Sequence, residues 1–251
     1  MTQERVPGMR RALLLCVAGL LGATVLAGSA APATRRVAAH PLPTQVEAAN
    51  PLPAGDAGAP LPTVQVPAPL VDPQMDLRAP PVEVPLRVII PGLKVDVPVL
   101  GTGLSGPDNV VDAPRGGLDD PIWQKAFWYR GSGVPGDSGT AAIAGHVDDL
   151  RGRPSPFYQL RNMKAGDQIV IRDTRVNLEM HFTVTEVQEY TAQQASTPGI
   201  LSRIYGAGPA AGRGAQPSPD GVSHLTLLTC HGDFVNGSFD HRLVVFADRS
   251  S

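Results

Sequence analysis

The chain reads as an all-β domain behind a long N-terminal extension, and three features carry that reading. Short apolar, β-branched runs recur between residues 82 and 247, Gly, Pro and Asn pairs punctuate them, and only two brief stretches have the makings of a helix. Val82 to Ile90 and Val95 to Leu100 are strand runs separated by the turn pair Pro91-Gly92. Proline lacks the N–H that a ladder needs, so Pro85 and Pro98 mark these strands as edges. Gly101 to Asp120 reads as loop, Phe127-Trp128-Tyr129 as a short buried strand, and Gly131 to Gly139 as a polar turn.

Thr140 to His146 follows as a small-residue strand that ends on a histidine. Ser155 to Leu160 reads as one helical turn after Pro154, and Gly166-Asp167 as a turn before the strand Gln168 to Arg172. Asn177 to Tyr190 alternates through Met180, Phe182 and Val184, which predicts a long strand. Thr197-Pro198-Gly199 opens a short helix through Tyr205, and Gly206 to Gly221 is a Gly/Ala/Pro loop expected to abut the site. The run from Leu225 ends on Cys230, and Arg242 opens a last strand, Leu243 to Ala247. Between them Asn236-Gly237-Ser238 matches a glycosylation tripeptide, although Asn-Gly more simply supplies a hairpin turn.

With 251 residues, 42% hydrophobic and 18% charged, the chain holds one ordinary core plus accessory segments. A formal charge of -2 offers no basic field for a nucleic-acid backbone, so no nucleic-acid partner is expected. Residues 1–36 carry arginines on both sides of an apolar run from Ala12 to Thr34, which reads as a membrane anchor with the N-terminus inside. Small residues at Ala27 to Ala31 leave a cleaved signal segment, and hence secretion, as the alternative. Cys16 inside that run is an apolar, membrane-embedded side chain in this reading. Residues 37–81, rich in Pro, Ala and Gly, read as a disordered tether that holds His40 in solvent and reaches on the order of 100 Å at about 3.1 Å per residue. Residues 82–251 are then the folded domain.

Cys230 is the only cysteine outside the N-terminal segment, so no disulfide explains it. As a bare residue type it reads as a small buried hydrophobe, and Arg242 as a solvated charge. A hairpin connection would instead bring that permanent cation to the strand beside the thiol. A strand-borne thiol gains no helix dipole to lower its pKa, which implies a partly ionised and slow nucleophile. His181, His224, His231 and His241 read as ordinary strand residues, and no His/Cys/Asp spacing suggests a metal; no cofactor is expected.

Thr226-Leu227-Leu228-Thr229-Cys230, followed by an arginine on the next strand, resembles the T-L-x-T-C and arginine signature of sortases. The segment from Phe127 through Ala144-Gly145-His146-Val147-Asp148 resembles the corresponding sortase stretch, most of all in class F sortases of actinobacteria. His231, where class F sequences usually have glycine, departs from that pattern. The resemblance, which covers about Arg87 to Asp248, implies a closed eight-stranded β-barrel with one or two short helices. It also implies a membrane-bound, extracellular-facing cysteine transpeptidase of a Gram-positive surface that cuts an LPxTG-like C-terminal signal of exported proteins between Thr and Gly. Cys230 would form the thioester, His146 would serve as acid and base, Arg242 would hold the substrate backbone or oxyanion, and Ala144 and Thr229 would line the groove. The acyl group would pass to an amine of a cell-wall (peptidoglycan precursor) acceptor. A cysteine peptidase that uses water, and a non-catalytic surface-binding module, are the competing readings.

Overall fold

The structure, a computed structural model, describes residues 70, 76–103 and 113–250. The expected anchor at 1–36, most of the tether, and part of the 101–120 loop lie outside the described residues. Among the described residues no helix is long and apolar enough to cross a membrane.

Eight strands close into a barrel: β1 (Val82–Ile90), β2 (Val95–Thr102), β3 (Ala126–Tyr129), β4 (Gly139–Gly145), β5 (Gln168–Asp173), β6 (Leu178–Thr191), β7 (Ser223–Val235) and β8 (Ser238–Arg249). Their order around the barrel is β1-β2-β3-β4-β7-β8-β6-β5. Two pairs, β2 with β3 and β4 with β7, are parallel, and the other pairs are antiparallel. A parallel pair needs a long crossover. The one from β4 to β7 carries β5, β6 and the short helices α1 (Ala192–Ala195), α2 (Pro198–Tyr205) and α3 (Ala207–Ala210).

Closure removes the edges that Pro85 and Pro98 were expected to mark, since β1 pairs with both β2 and β5, and β2 with both β1 and β3. The prolines are tolerated for local reasons. Pro85 falls in the register shift between Glu83 and Arg87, and Pro98 lies one residue before the ladder to β3 begins at Val99.

Strand alternation sorts the core into two layers. Ala141 and Ile143 of β4, Leu225 and Leu227 of β7, and Leu243, Val245 and Ala247 of β8 fill the barrel with Trp128, Phe157 and Phe182. The intervening residues, Ala142 and Ala144, Leu228, Val244 and Phe246, pack outward with Phe127, Tyr129 and the Ile204 and Tyr205 of α2. Buried on both faces, these strands read as continuous apolar runs. The chain before β1 also touches the barrel. Leu70 packs against the inner layer, and the Asp76 carbonyl accepts from Arg130 Nη2 at 3.0 Å.

Candidate active site

The site is built where β4 and β7 end. Their parallel ladder runs from Gly139 opposite Ser223 to Ala144 opposite Leu228. Beyond it the buried Thr229 hydroxyl donates to the Gly145 carbonyl at 2.8 Å, which continues the pairing by one residue. Two residues past the last pair on each strand stand His146, just beyond the end of β4, and Cys230, still within β7. Both share the outward face of Ala144 and Leu228. Gly145 permits this exit from β4, because a Cβ there would lie 2.5 Å from the Phe157 ring.

On the other side of β7, Cys230 is directly opposite Arg242 of β8. The hairpin extends further than its sequence indicates. β7 does not end at Cys230 but runs to Val235, and β8 opens at Ser238 rather than at Arg242. Asn236 and Gly237, at φ 53 and 84, make the two-residue turn with both central residues left-handed. One extra residue on β7 between His231 and Phe234 forms a bulge at Gly232, φ 82. A Cβ at Gly232 would meet Asp240 Oδ1 at 2.2 Å, so only glycine lets the two strands stay close here.

His146 is only 8% exposed, its ring 4.5 Å from Trp123 and edge-on to Phe127 at 5.6 Å. Its Nε2 lies 2.9 Å from the Pro114 carbonyl. A carbonyl can only accept, so Nε2 carries the proton in this contact and Nδ1 is the basic nitrogen. Arg242 Nη1 donates to the Phe239 and His241 carbonyls, both at 2.9 Å, which anchors the guanidinium to the hairpin. The neighbouring His231 is paired with His241 and has Nε2 3.6 Å from Glu189.

His146 and the half-buried Cys230 line one cleft of about 370 Å³. Arg242, Ala144 and Thr229 are not in its wall: Ala144 is buried in the outer layer, and Thr229 spends its hydroxyl on Gly145. The wall instead takes in Arg115, Trp123, Asp148, Leu150, Phe234 and Phe239, none of which the sequence reading singled out. Phe234 and Phe239 flank the Asn-Gly turn and pack edge to face at 5.2 Å, a symmetry visible in the sequence once the hairpin is known. The Gly206–Gly221 loop, expected beside the site, is at the far end of β4, where the Gln216 carbonyl lies near Gly139. The parallel ladder explains this, since a loop that leads into β7 must sit with the start of β4, about 20 Å from Cys230.

Two carboxylates follow His146. Asp149 is consumed locally: it accepts from the Arg151 and Arg153 backbone N–H groups at 2.8 and 3.0 Å and from Arg153 Nε at 2.5 Å. Burial works to raise its pKa, but these bonds hold it below the usual carboxylate range. For Asp148, burial and then the Asp149 charge push the pKa up, with His146 pulling the other way.

No curated protein gave a significant match to the chain. Among solved structures it is similar to "Sortase A from Corynebacterium diphtheriae", at 19% identity and TM-score 0.46 over 69% of this chain and 63% of that one. It is also similar to "Pilus-related Sortase C of Group B Streptococcus", at 19% identity and TM-score 0.45 over 67% and 68%. The chain therefore spans about 63% of the length of the first of these. A family model described as the sortase domain matches residues 88–250, from β1 to the end of β8, and the chain belongs to the sortase family.

Proposed function

We propose that the protein is a cysteine transpeptidase that cleaves an LPxTG-like signal on exported proteins between Thr and Gly and joins the new carboxyl end to a cell-wall amine. The observation that carries this reading is that Cys230 stands opposite Arg242 across the β7–β8 ladder and lines one cleft with His146. The Cys230 thiolate attacks the scissile carbonyl, and protonated His146 gives its proton to the leaving amine as the C–N bond breaks. A thioester and a neutral imidazole remain. The incoming amine then attacks the thioester carbon, His146 takes a proton from it, and the sulfur leaves as thiolate. Arg242 supplies a fixed positive charge to the oxygen that becomes negative in both steps.

Ala144 and Thr229 act in this scheme from beneath the groove, by packing and by fixing the exit of β4, rather than by touching substrate. The barrel begins at Val82, with Leu70 and Asp76 of the preceding chain packed on it, and the apolar run at residues 12–34 holds the domain at the outer face of the membrane. The class F assignment rests on the stretch from Phe127 to Asp148, with His231 as its exception.

Mass spectrometry of the full chain mixed with an LPxTG peptide tests the reading. A thioester adduct on Cys230 is expected, lost in Cys230→Ala, and a ligated product when a primary amine is added. Absence of any adduct on Cys230 with a panel of donor peptides would sink the proposal. An adduct that yields only the hydrolysed peptide, with amine present, would make the protein a peptidase.

A further inference from the structure

The segment that leads into β3 lies over His146 and touches it twice. The Pro114 carbonyl is 2.9 Å from Nε2, and the Trp123 ring is 4.5 Å from the imidazole, tilted by 49°. Three further sets of contacts fix this segment. Ala113, beside Pro114, is buried in the outer layer. The Trp123 indole N–H donates to the Gly117 carbonyl at 2.7 Å, and the Asp120 N–H donates to that same carbonyl at 3.2 Å, so the turn closes on itself. Asp119 then ties the turn to the loop after His146: its carboxylate accepts from Arg151 Nη2 at 3.0 Å and lies 3.6 Å from Arg153 Nη2. Arg153 is itself bonded to the buried Asp149 of that loop.

His146 loses and regains one proton in each turnover, and the two ring nitrogens are not equivalent carriers. A backbone carbonyl accepts and never donates, so Nε2 keeps its proton while Pro114 stays in place, and Nδ1 alone exchanges. An imidazole without such a partner divides its neutral form between two tautomers, and the share with its proton on the wrong nitrogen is idle as a base. Stacking on Trp123 does not choose a tautomer. The carbonyl does, and the carbonyl is held by the contacts of Trp123 and Asp119. The other charged or titratable groups on the cleft wall are Arg115, Asp148, Asp149 and Cys230, and the charge of Asp148 is coupled to that of His146.

We propose that Trp123 and Asp119 are positioning residues for acyl transfer: they hold the Pro114 carbonyl on His146 Nε2 and so reserve Nδ1 for the proton transfers. The turnover effect rests on the transpeptidase reading, whereas the tautomer is read without it. Two-bond proton–nitrogen spectra of the full chain, labelled with nitrogen-15 histidine, test the assignment, and His146→Gln identifies the His146 signals. With the ring titrated to neutrality, the wild type is expected in the Nε2–H form. Trp123→Phe keeps a ring against His146 and deletes the bond to Gly117. It should bring in the Nδ1–H form and lower kcat for an LPxTG peptide by about tenfold, part of the 10² to 10⁴ that a whole acid-base supplies, with KM within about twofold. Asp119→Ala breaks exposed ion pairs and should move the tautomer the same way with about a threefold loss of kcat, while Asp119→Glu should stay within about twofold of the wild type. A wild-type ring protonated on Nδ1, a tautomer unmoved by Trp123→Phe, or a loss confined to KM would overturn the assignment. The wild-type spectrum needs no variant at Trp123 or Asp119, so misfolding of one cannot shield it. Failure to form a thioester would defeat the transpeptidase reading and leave the spectra to decide the positioning role.

Discussion

Two histidines compete for the role of acid and base, and the structure separates them by strand parity. His231 is covalently adjacent to Cys230, but successive side chains on a strand point to opposite faces. It is directed toward His241 and Glu189, away from the cleft. His146 is remote in sequence yet lines the same cleft as Cys230. Removal of a positioned general acid-base costs about 10² to 10⁴ in rate. His146→Ala should therefore lower single-turnover acylation by an LPxTG peptide by at least about 10², while His231→Ala, which removes only a surface contact to Glu189, should stay within about threefold. Acylation is followed by intact-protein mass spectrometry, with thermal unfolding as a control, because His146→Ala also empties space beside Trp123 and Phe127. His146→Gln fills that space and should be as slow as the alanine variant. A larger loss from His231→Ala than from His146→Ala, in folded protein, would mean that the register argument has assigned the wrong face.

Thr229→Val keeps the shape of the side chain and deletes its buried bond to the Gly145 carbonyl, which should cost about 1 to 3 kcal/mol and lower Tm by roughly 2 to 4 °C for each. If the bond also fixes His146, kcat should fall more than KM rises, and a variant with unchanged Tm and kcat would refute the role given to Thr229. Arg242→Lys keeps the charge but not the fork that binds two hairpin carbonyls, so thioester formation should drop by about 10² or more; Arg249→Ala should leave it intact. At the far end of the barrel His224 lies between Asp248 and Asp220 at 2.6 and 3.2 Å. Burial works to lower its pKa, but the two carboxylates raise it overall. The stability from this raised value is fully present below the ordinary imidazole pKa of about 6.5 and is lost as pH rises through the folded value. Between about pH 5.5 and pH 8.5 the wild-type Tm should therefore fall more than that of His224→Gln, and equal falls would remove His224 from the account.

The barrel strands were legible because a sheet buried on one face alternates and one buried on both faces is continuously apolar. Asn177 to Tyr190 shows the first pattern, and Leu225 to Thr229 the second. The short turn at Pro121–Gln124 was not legible, since its signal is one Asp120 side chain capping Ile122 at 2.8 Å. That turn matters because it sets Trp123 against His146. Pro85 and Pro98 misled because the rule that confines proline to edges counts ladder bonds, and a bulge or a ladder's end removes the same bond inside a closed barrel.

The extent of the Cys230 hairpin shows what pattern reading omits. The stretch from His231 to Asp240, with Phe234, Val235 and Phe239 set among polar residues and no regular alternation, gave no reason to continue a strand, because beyond the barrel rim Phe234 and Val235 stay exposed. Pairing there is held by backbone bonds and by the Asn236-Gly237 turn, whose left-handed geometry matches the twist of the two strands. The bulge at Gly232 then shifts the alternation of β7 relative to β8 by one residue. That shift places Phe234 across from Phe239 at the cleft, whereas the ladder on the barrel side of the bulge pairs Cys230 with Arg242. One glycine thus reconciles two demands on a single hairpin: a cysteine and an arginine paired across the ladder, and an aromatic pair at the wall of the cleft.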